Sequence, residues 1–355
     1  MNHVHVYVAC AEDGVVDLLD LETDFGRLKQ RGRSEGLSDV KALAVDHRRG
    51  LLHAGRNTTP PQVTTRRIAT DGSLEALGSV PLEASTAYLS LDAAGEWLYS
   101  ASYHDGMVLA LPVAPDGTVV PAGGESRERR AKSHVPGPKA HSMVPSPDGR
   151  HVYAASLGAD RIVWYETDTH DLEEAGSVAT APGSGPRHLR FAAGGEFLYA
   201  LHEMAGTVTV YRRDPVRGTL TERQNISSIP NRLGLVPGRA RGGDVPDPGP
   251  EAIWCSDLQL GAEGRFLFTT ERSTSTITTF AVDPLDGTLT YLRTTGTESQ
   301  PRGAGVDPTG QYLLVCGELS GHLSAYGIDP EDGTLERTDR IATGRGPLWI
   351  ETREA

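Results

Sequence analysis

Cysteine is scarce: Cys10, Cys255 and Cys316 are the only three in 355 residues. No two form a CxxC pair, which excludes a disulfide framework and a structural zinc signature. Basic residues are in deficit, with 34 Lys and Arg against 47 Asp and Glu and a formal net charge of −13. Bulk nucleic-acid binding is excluded on that ground, because neutralising phosphates needs a basic surface. A local cationic pocket is not excluded. No run approaches the roughly 18 consecutive apolar residues of a membrane span. The opening MNHVHVYVAC reads as a strand rather than a signal peptide, since it has no basic n-region. Sustained 3.6-residue periodicity is missing too, so no long helix is expected.

Common catalytic signatures are also missing. There is no GxSxG elbow, phosphate-binding loop or dinucleotide fingerprint. His202-Glu203 begins like HExxH, but Gly206 stands where the second His belongs. The DPLDGTL and DPEDGTL segments lack the ligand spacing of a calcium loop and suit hairpin turns instead. These absences describe a cytoplasmic protein with no metal, no cofactor and neither a nucleic-acid nor a membrane partner.

Turn residues are abundant, with 41 Gly and 23 Pro. They punctuate an internal repeat. Six segments share a turn, a glycine and a short β-rich run: DHRRGLLHAG, LDAAGEWLYSAS, PSPDGRHVYAAS, FAAGGEFLYALH, LGAEGRFLFTTE and VDPTGQYLLVCG. Their glycines are Gly50, Gly95, Gly149, Gly195, Gly264 and Gly310. The widest gap, after Gly195, holds a Gly/Pro/Arg-rich stretch from about 231 to 250, which reads as an inserted loop. Alternating strands around turns follow each segment, as in TVTVYRRDPVRGTL and TITTFAVDPLDGTL, and give four strands per unit. The C-terminal GRGPLWIE matches an innermost strand, and the N-terminal HVHVYVAC the strand after it. The predicted fold is all-β: one seven-bladed β-propeller domain over 1–355. Each blade has four antiparallel strands, and the last is closed by the two termini, leaving no open edge.

Register on the shared glycine locates the polar residues. Eight positions before it stand Ala42, Ala87, His141, Arg187, Ser256 and Arg302, with Leu348 in the split blade. Eight after it stand Thr58, Tyr103, Leu157, Glu203, Arg272 and Glu318, with Ala11 in the split blade. Both positions fall at the funnel end of the inner hairpin. A purely structural position tends to repeat its residue, whereas here the charges gather in four blades. That asymmetry predicts one polar site suited to attack on an ester carbonyl. Glu203 or His141 serves as general base. Arg187 and Arg272 stabilise an oxyanion or clamp an anionic group. Arg302 is a further anion contact, and His188, Tyr103 and Arg56 are weaker substrate-binding candidates near the same rim. Structural readings stand beside these. Arg187 and Arg302 also suit salt bridges to Glu203 and Glu318, and His141 suits an inner-strand hydrogen-bond network. In a regular strand His188 points away from Arg187.

GSGPRHLRF, LYALHEMAGTVTVY, TESQPRGAGVDPTGQYLL and GRGPLWIE resemble the propeller-type 6-phosphogluconolactonases, a family that also includes muconate lactonising enzymes. The resemblance spans nearly the whole chain. It implies a metal-independent lactonase, a carboxylic ester hydrolase opening 6-phospho-D-glucono-1,5-lactone in the pentose phosphate pathway. It implies catalytic roles for His141, Arg187, Glu203 and Arg272, and an anionic lactone as partner. Many relatives carry Asn at the position of His202. Alternatives are a lactonase for a sulfonated or unphosphorylated sugar acid, a muconate lactonising enzyme, or a non-enzymatic interaction scaffold.

Overall fold

In the computed structural model, residues 3–121, 130–242 and 249–355 are described. Residues 125–129 of the charged ESRERRAK run lie outside them, as do 243–248 of the inserted loop. The described chain forms seven four-stranded antiparallel sheets. Their innermost strands are Val40–Asp46, Tyr88–Leu91, Ala140–Pro145, Pro186–Phe191, Cys255–Gly261, Pro301–Val306 and Pro347–Glu354. Each inner strand neighbours the next and the last neighbours the first, closing a ring. We number the blades 1 to 7 in that order. Blade 7 joins Pro347–Glu354 to His3–Cys10, so both termini share one sheet. Helical structure among the described residues is limited to three short 3-10 turns.

Strand alternation explains the core. In His151–Ser156, Val152 and Ala154 pack toward blade 2, while Tyr153 and Ala155 pack toward blade 4. Both faces of such a strand are buried, which is why the repeat reads as a continuous apolar run. The core is therefore seven apolar layers, one between each pair of neighbouring blades. Outermost strands alternate with solvent instead, as in Leu220–Ser227.

Asp-Gly and Arg-Gly hairpin turns lock adjacent blades. Gly218 and Gly287 both have φ +72° and back directly onto the rings of His151 and Phe197 in the preceding blade. A Cβ at Gly287 would stand 2.5 Å from the Phe197 ring. The carbonyls of Gly218 and Gly287 accept hydrogen bonds from Tyr153 (2.7 Å) and Tyr199 (3.0 Å). The repeated tyrosine of the second strand thus serves an inter-blade bond. Its buried hydroxyl needs that partner.

One irregularity positions the site. Inner strands carry a β-bulge near their funnel end: Ala140 pairs with Ser156 and Ser142 with Ala155, leaving His141 unpaired. Arg187 and Arg302 are bulged out in the same way in blades 4 and 6. A bulge re-aims the extra residue and breaks strict alternation.

Candidate active site

The bulged residues and the strand ends beside them line a funnel cavity of about 550 Å³. His141, Arg187, Glu203, Arg272, Arg302, His188 and Tyr103 all border it. Arg187 and His188 lie on the same side despite being adjacent, contrary to the expectation from a regular strand, because the bulge at Arg187 resets the alternation. Arg56 is not among the lining residues. It pairs with Val40 inside the blade 1 hairpin and donates to the Ser38 carbonyl (3.1 Å) and hydroxyl (2.8 Å). The blade 1 hairpin is as long as that of blade 3, since Val40 pairs with Arg56 and Ala140 with Ser156, but its glycine stands one place later in the turn, with Lys41 rather than Ala42 as the bulged residue. Glycine-based register therefore slips by one on each strand. Lys41 and Asn57, not Ala42 and Thr58, reach the cavity.

At the centre, one carboxylate is held between two guanidiniums. Glu203 Oε2 accepts from Arg187 Nε at 2.9 Å and from Arg272 Nη2 at 2.8 Å. All three side chains are nearly sealed, with 3–4 % of each residue exposed. Neither arginine engages Oε1. Arg272 also donates to the carbonyls of Trp254 (3.1 Å) and Cys255 (3.0 Å), and its guanidinium carbon lies 3.8 Å from the Trp254 ring centre. Burial pulls both arginines down from their ordinary range, and the Glu203 charge pulls them back. Arg302 pairs with Glu318 at 2.7 Å in a more open setting. The salt-bridge reading of Arg187 and Arg302 is thus present in the geometry, within a cavity wall.

His141 lies between Tyr103 and His188, with ring centres 5.6 and 5.3 Å away. Its Nδ1 is buried without a partner. Burial, then the Arg187 charge, holds it well below the ordinary histidine value, so the ring is neutral at pH 7. Tyr103 donates to the Arg241 carbonyl at 2.6 Å, and burial pushes its phenol up to about 12. Lys139 donates to the same carbonyl. These contacts pin the inserted loop across the mouth, where Arg241 and Gly242 join the lining. Repeat register could not have found Arg241, because the loop has no counterpart in other blades. Below the funnel, edge-to-face contacts among Tyr88, His188 and Trp349 form a septum. A second cavity of about 360 Å³ lies beneath it.

Lys41, Arg187, Arg241, Arg272 and Arg302 set five cations against Glu203 and Glu318 in the lining. The pocket reverses the sign of the whole chain and suits an anionic ligand. Among the described residues one His/carboxylate group has metal-ligand spacing: His3, His5 and Asp20. It belongs to blade 7, where His5 Nδ1 and Asp20 Oδ1 already bond at 2.9 Å, and none of the three lines the funnel. No helix among the described residues is long and apolar enough to cross a membrane.

A family model described as "Lactonase, 7-bladed beta-propeller" matches residues 5–352. A 6-phosphogluconolactonase of Serratia proteamaculans is 30 % identical over 351 residues, 97 % of each chain. One from Pectobacterium carotovorum is 31 % identical over 349 residues, again 97 % of each. Among solved structures, the periplasmic gluconolactonase of Pseudomonas aeruginosa superposes with a TM-score of 0.82, at 26 % identity and over 99 % of both chains.

Proposed function

Since the chain belongs to the seven-bladed β-propeller lactonase family, we propose that it hydrolyses 6-phospho-D-glucono-1,5-lactone to 6-phosphogluconate, without a metal. The observation that carries this reading is the buried Arg187–Glu203–Arg272 cluster beside a neutral His141, in a cavity with surplus cations. A water between Glu203 and the lactone carbonyl gives its proton to Oε1, the carboxylate oxygen that neither arginine holds. The hydroxide attacks C1, and the guanidiniums of Arg187 and Arg272 stabilise the charge that develops on the carbonyl oxygen. Collapse breaks the bond from C1 to the ring oxygen, which takes the proton from Glu203 and leaves as a hydroxyl. The product acid then ionises, so one water is consumed and one proton released.

His141, as an uncharged donor, holds a substrate oxygen at the carbonyl end. Arg302, Lys41 and Arg241 line the same wall and attract the phosphate tail. Two guanidiniums supply the electrophilic help that a metal would otherwise give. The three cysteines are free and buried, in keeping with the cytoplasmic reading.

The test is initial-rate hydrolysis in EDTA, corrected for spontaneous opening, of phosphogluconolactone and gluconolactone. Full activity in EDTA and a clear preference for the phosphorylated lactone are expected. Equal rates on both would remove the phosphate assignment. Loss of activity in EDTA, restored by a divalent ion, would remove the metal-free one.

A further inference from the structure

Arg187 is held from behind by a chain of buried groups that the hydrolytic scheme does not use. Its Nη1 lies 2.9 Å from His188 Nε2 and also donates to the Ser256 carbonyl. A guanidinium has only donors, so His188 Nε2 must offer a lone pair. The ring proton then sits on Nδ1, which lies 2.9 Å from Asp257 Oδ1. Asp257 is itself fixed: Oδ1 accepts from the Leu258 amide (2.8 Å) and Oδ2 from the Ala304 amide (3.0 Å) in the next blade. Its own amide donates to Thr270 at 3.0 Å. The His188 ring meets Tyr88, His141 and Trp349 edge-on at centre distances of 5.2, 5.3 and 6.0 Å.

Two features separate this arrangement from an ordinary satisfied core histidine. First, the bulge at Arg187 puts Arg187 and His188 side by side, so an adjacent pair meets head to head. Second, both ring nitrogens are committed in one sense only. In the other tautomer, or as an imidazolium, His188 would present an N–H to an arginine N–H and push Arg187 off Glu203. Several charges face the ring: Arg187 and Arg190 from its own strand, and Asp257 from blade 5. Burial and Arg187 outweigh Asp257 and hold the ring down to about 4, so it is neutral across the working range.

We propose that Asp257 and His188 are positioning residues, which fix the Arg187 guanidinium through a neutral His188 protonated on Nδ1. The oxyanion donor thereby stands in place before substrate arrives. The proposal rests on Arg187 acting as in the scheme above. It assigns a role to Asp257, a residue whose carboxylate borders the lower cavity rather than the funnel.

Side-chain nitrogen NMR on the wild type at pH 7.5 tests the tautomer without any substrate. Nitrogen-15 shifts of Nδ1–H with an unprotonated Nε2 are expected, and either the opposite tautomer or an imidazolium overturns the proposal. Kinetics on folded variants test the consequence. In His188→Gln the side-chain oxygen sits near the Nε2 position and can still accept from Arg187. In His188→Asn the acceptor is lost. Asp257→Asn sets an amide N–H against either His188 or Ala304. We expect kcat to fall roughly 100-fold in His188→Asn and at least about tenfold in Asp257→Asn, with KM nearly unchanged. His188→Gln should recover most of that loss. Wild-type kcat in His188→Asn, or equal losses in the Gln and Asn variants, overturns the proposal. Should the wild type open no lactone at all, the functional reading fails while the NMR result still decides the tautomer.

Discussion

In the proposed scheme Glu203 combines two roles, general base and counter-charge, that a single substitution would confound. As a charge with 3 % of its surface exposed, it needs Arg187 and Arg272, and they need it. Glu203→Gln would leave two buried guanidiniums without a counter-charge, at a cost of roughly 3–5 kcal/mol. Glu203→Asp separates the roles, because it keeps the charge near both arginines but withdraws the second oxygen by a methylene. We expect kcat to fall about 100-fold or more, with thermal unfolding only a few degrees lower. His141→Gln should keep turnover within about tenfold and lose no stability, since it removes an unpartnered buried Nδ1. The reverse pattern in kcat would exchange the two roles. The positions of these residues were legible in sequence because they deviate from a repeat: a charge in one blade where another has Ala or Leu cannot be explained by the fold. Lys41 and Asn57 were not legible, because the glycine of blade 1 stands one place later in its turn and shifts the register by one residue. Asp257 was hidden for another reason. It sits in the blade 5 bulge just before a buried Leu, and only the packing of blade 5 on blade 4 brings it to His188.

Two devices act at the level of strands and turns, and sequence shows them unequally. The glycine turns are visible as recurrent GT and GTL strings, yet nothing in the string says that Gly287 touches Phe197 in another blade. The bulge is less visible still. An extra residue that recurs in several blades leaves their mutual alignment intact, so comparison among repeats cannot expose it. That is why alternation misplaced His188 while placing Arg187 correctly. The turn contacts carry a stability prediction. Gly287→Ala meets both a left-handed backbone at φ +72° and a ring 2.5 Å from the new Cβ. Strain of about 1 kcal/mol and overpacking of about 1–3 kcal/mol add there. Gly321→Ala, at φ +60° with nothing within 4 Å, pays only the first. Urea midpoints should therefore fall clearly further for Gly287→Ala than for Gly321→Ala. Equal midpoints would mean that the turn does not lock the blades.

Across the whole ring, stability depends on keeping several histidines uncharged between apolar layers. Burial holds His53, His188 and His202 down to about 4, and holds His141 well below its ordinary value. In the unfolded chain these groups take up protons near pH 6.5. Their folded values are depressed, so their contribution is complete above that pH and is lost as pH falls toward about 4. Each proton bound only by the unfolded chain tilts stability by about 1.4 kcal/mol per pH unit. Glu351 works in the opposite sense: burial raises it to about 7, so between its unfolded value and 7 the folded state holds the extra proton. That gain on acidification offsets one histidine, while at least three oppose it. The urea midpoint should therefore fall steeply between pH 6.5 and about 4, and His53→Gln should flatten the slope, because it removes one of the titrating groups. This predicted weakness also follows from how the ring is closed. The strand His3–Cys10 sits between Pro347–Glu354 and Val15–Glu22, so opening blade 7 exposes the apolar layers on both its sides. Loss should be a single cooperative transition rather than blade by blade. A midpoint that is constant or rises on acidification would show that these histidines are hydrated in solution.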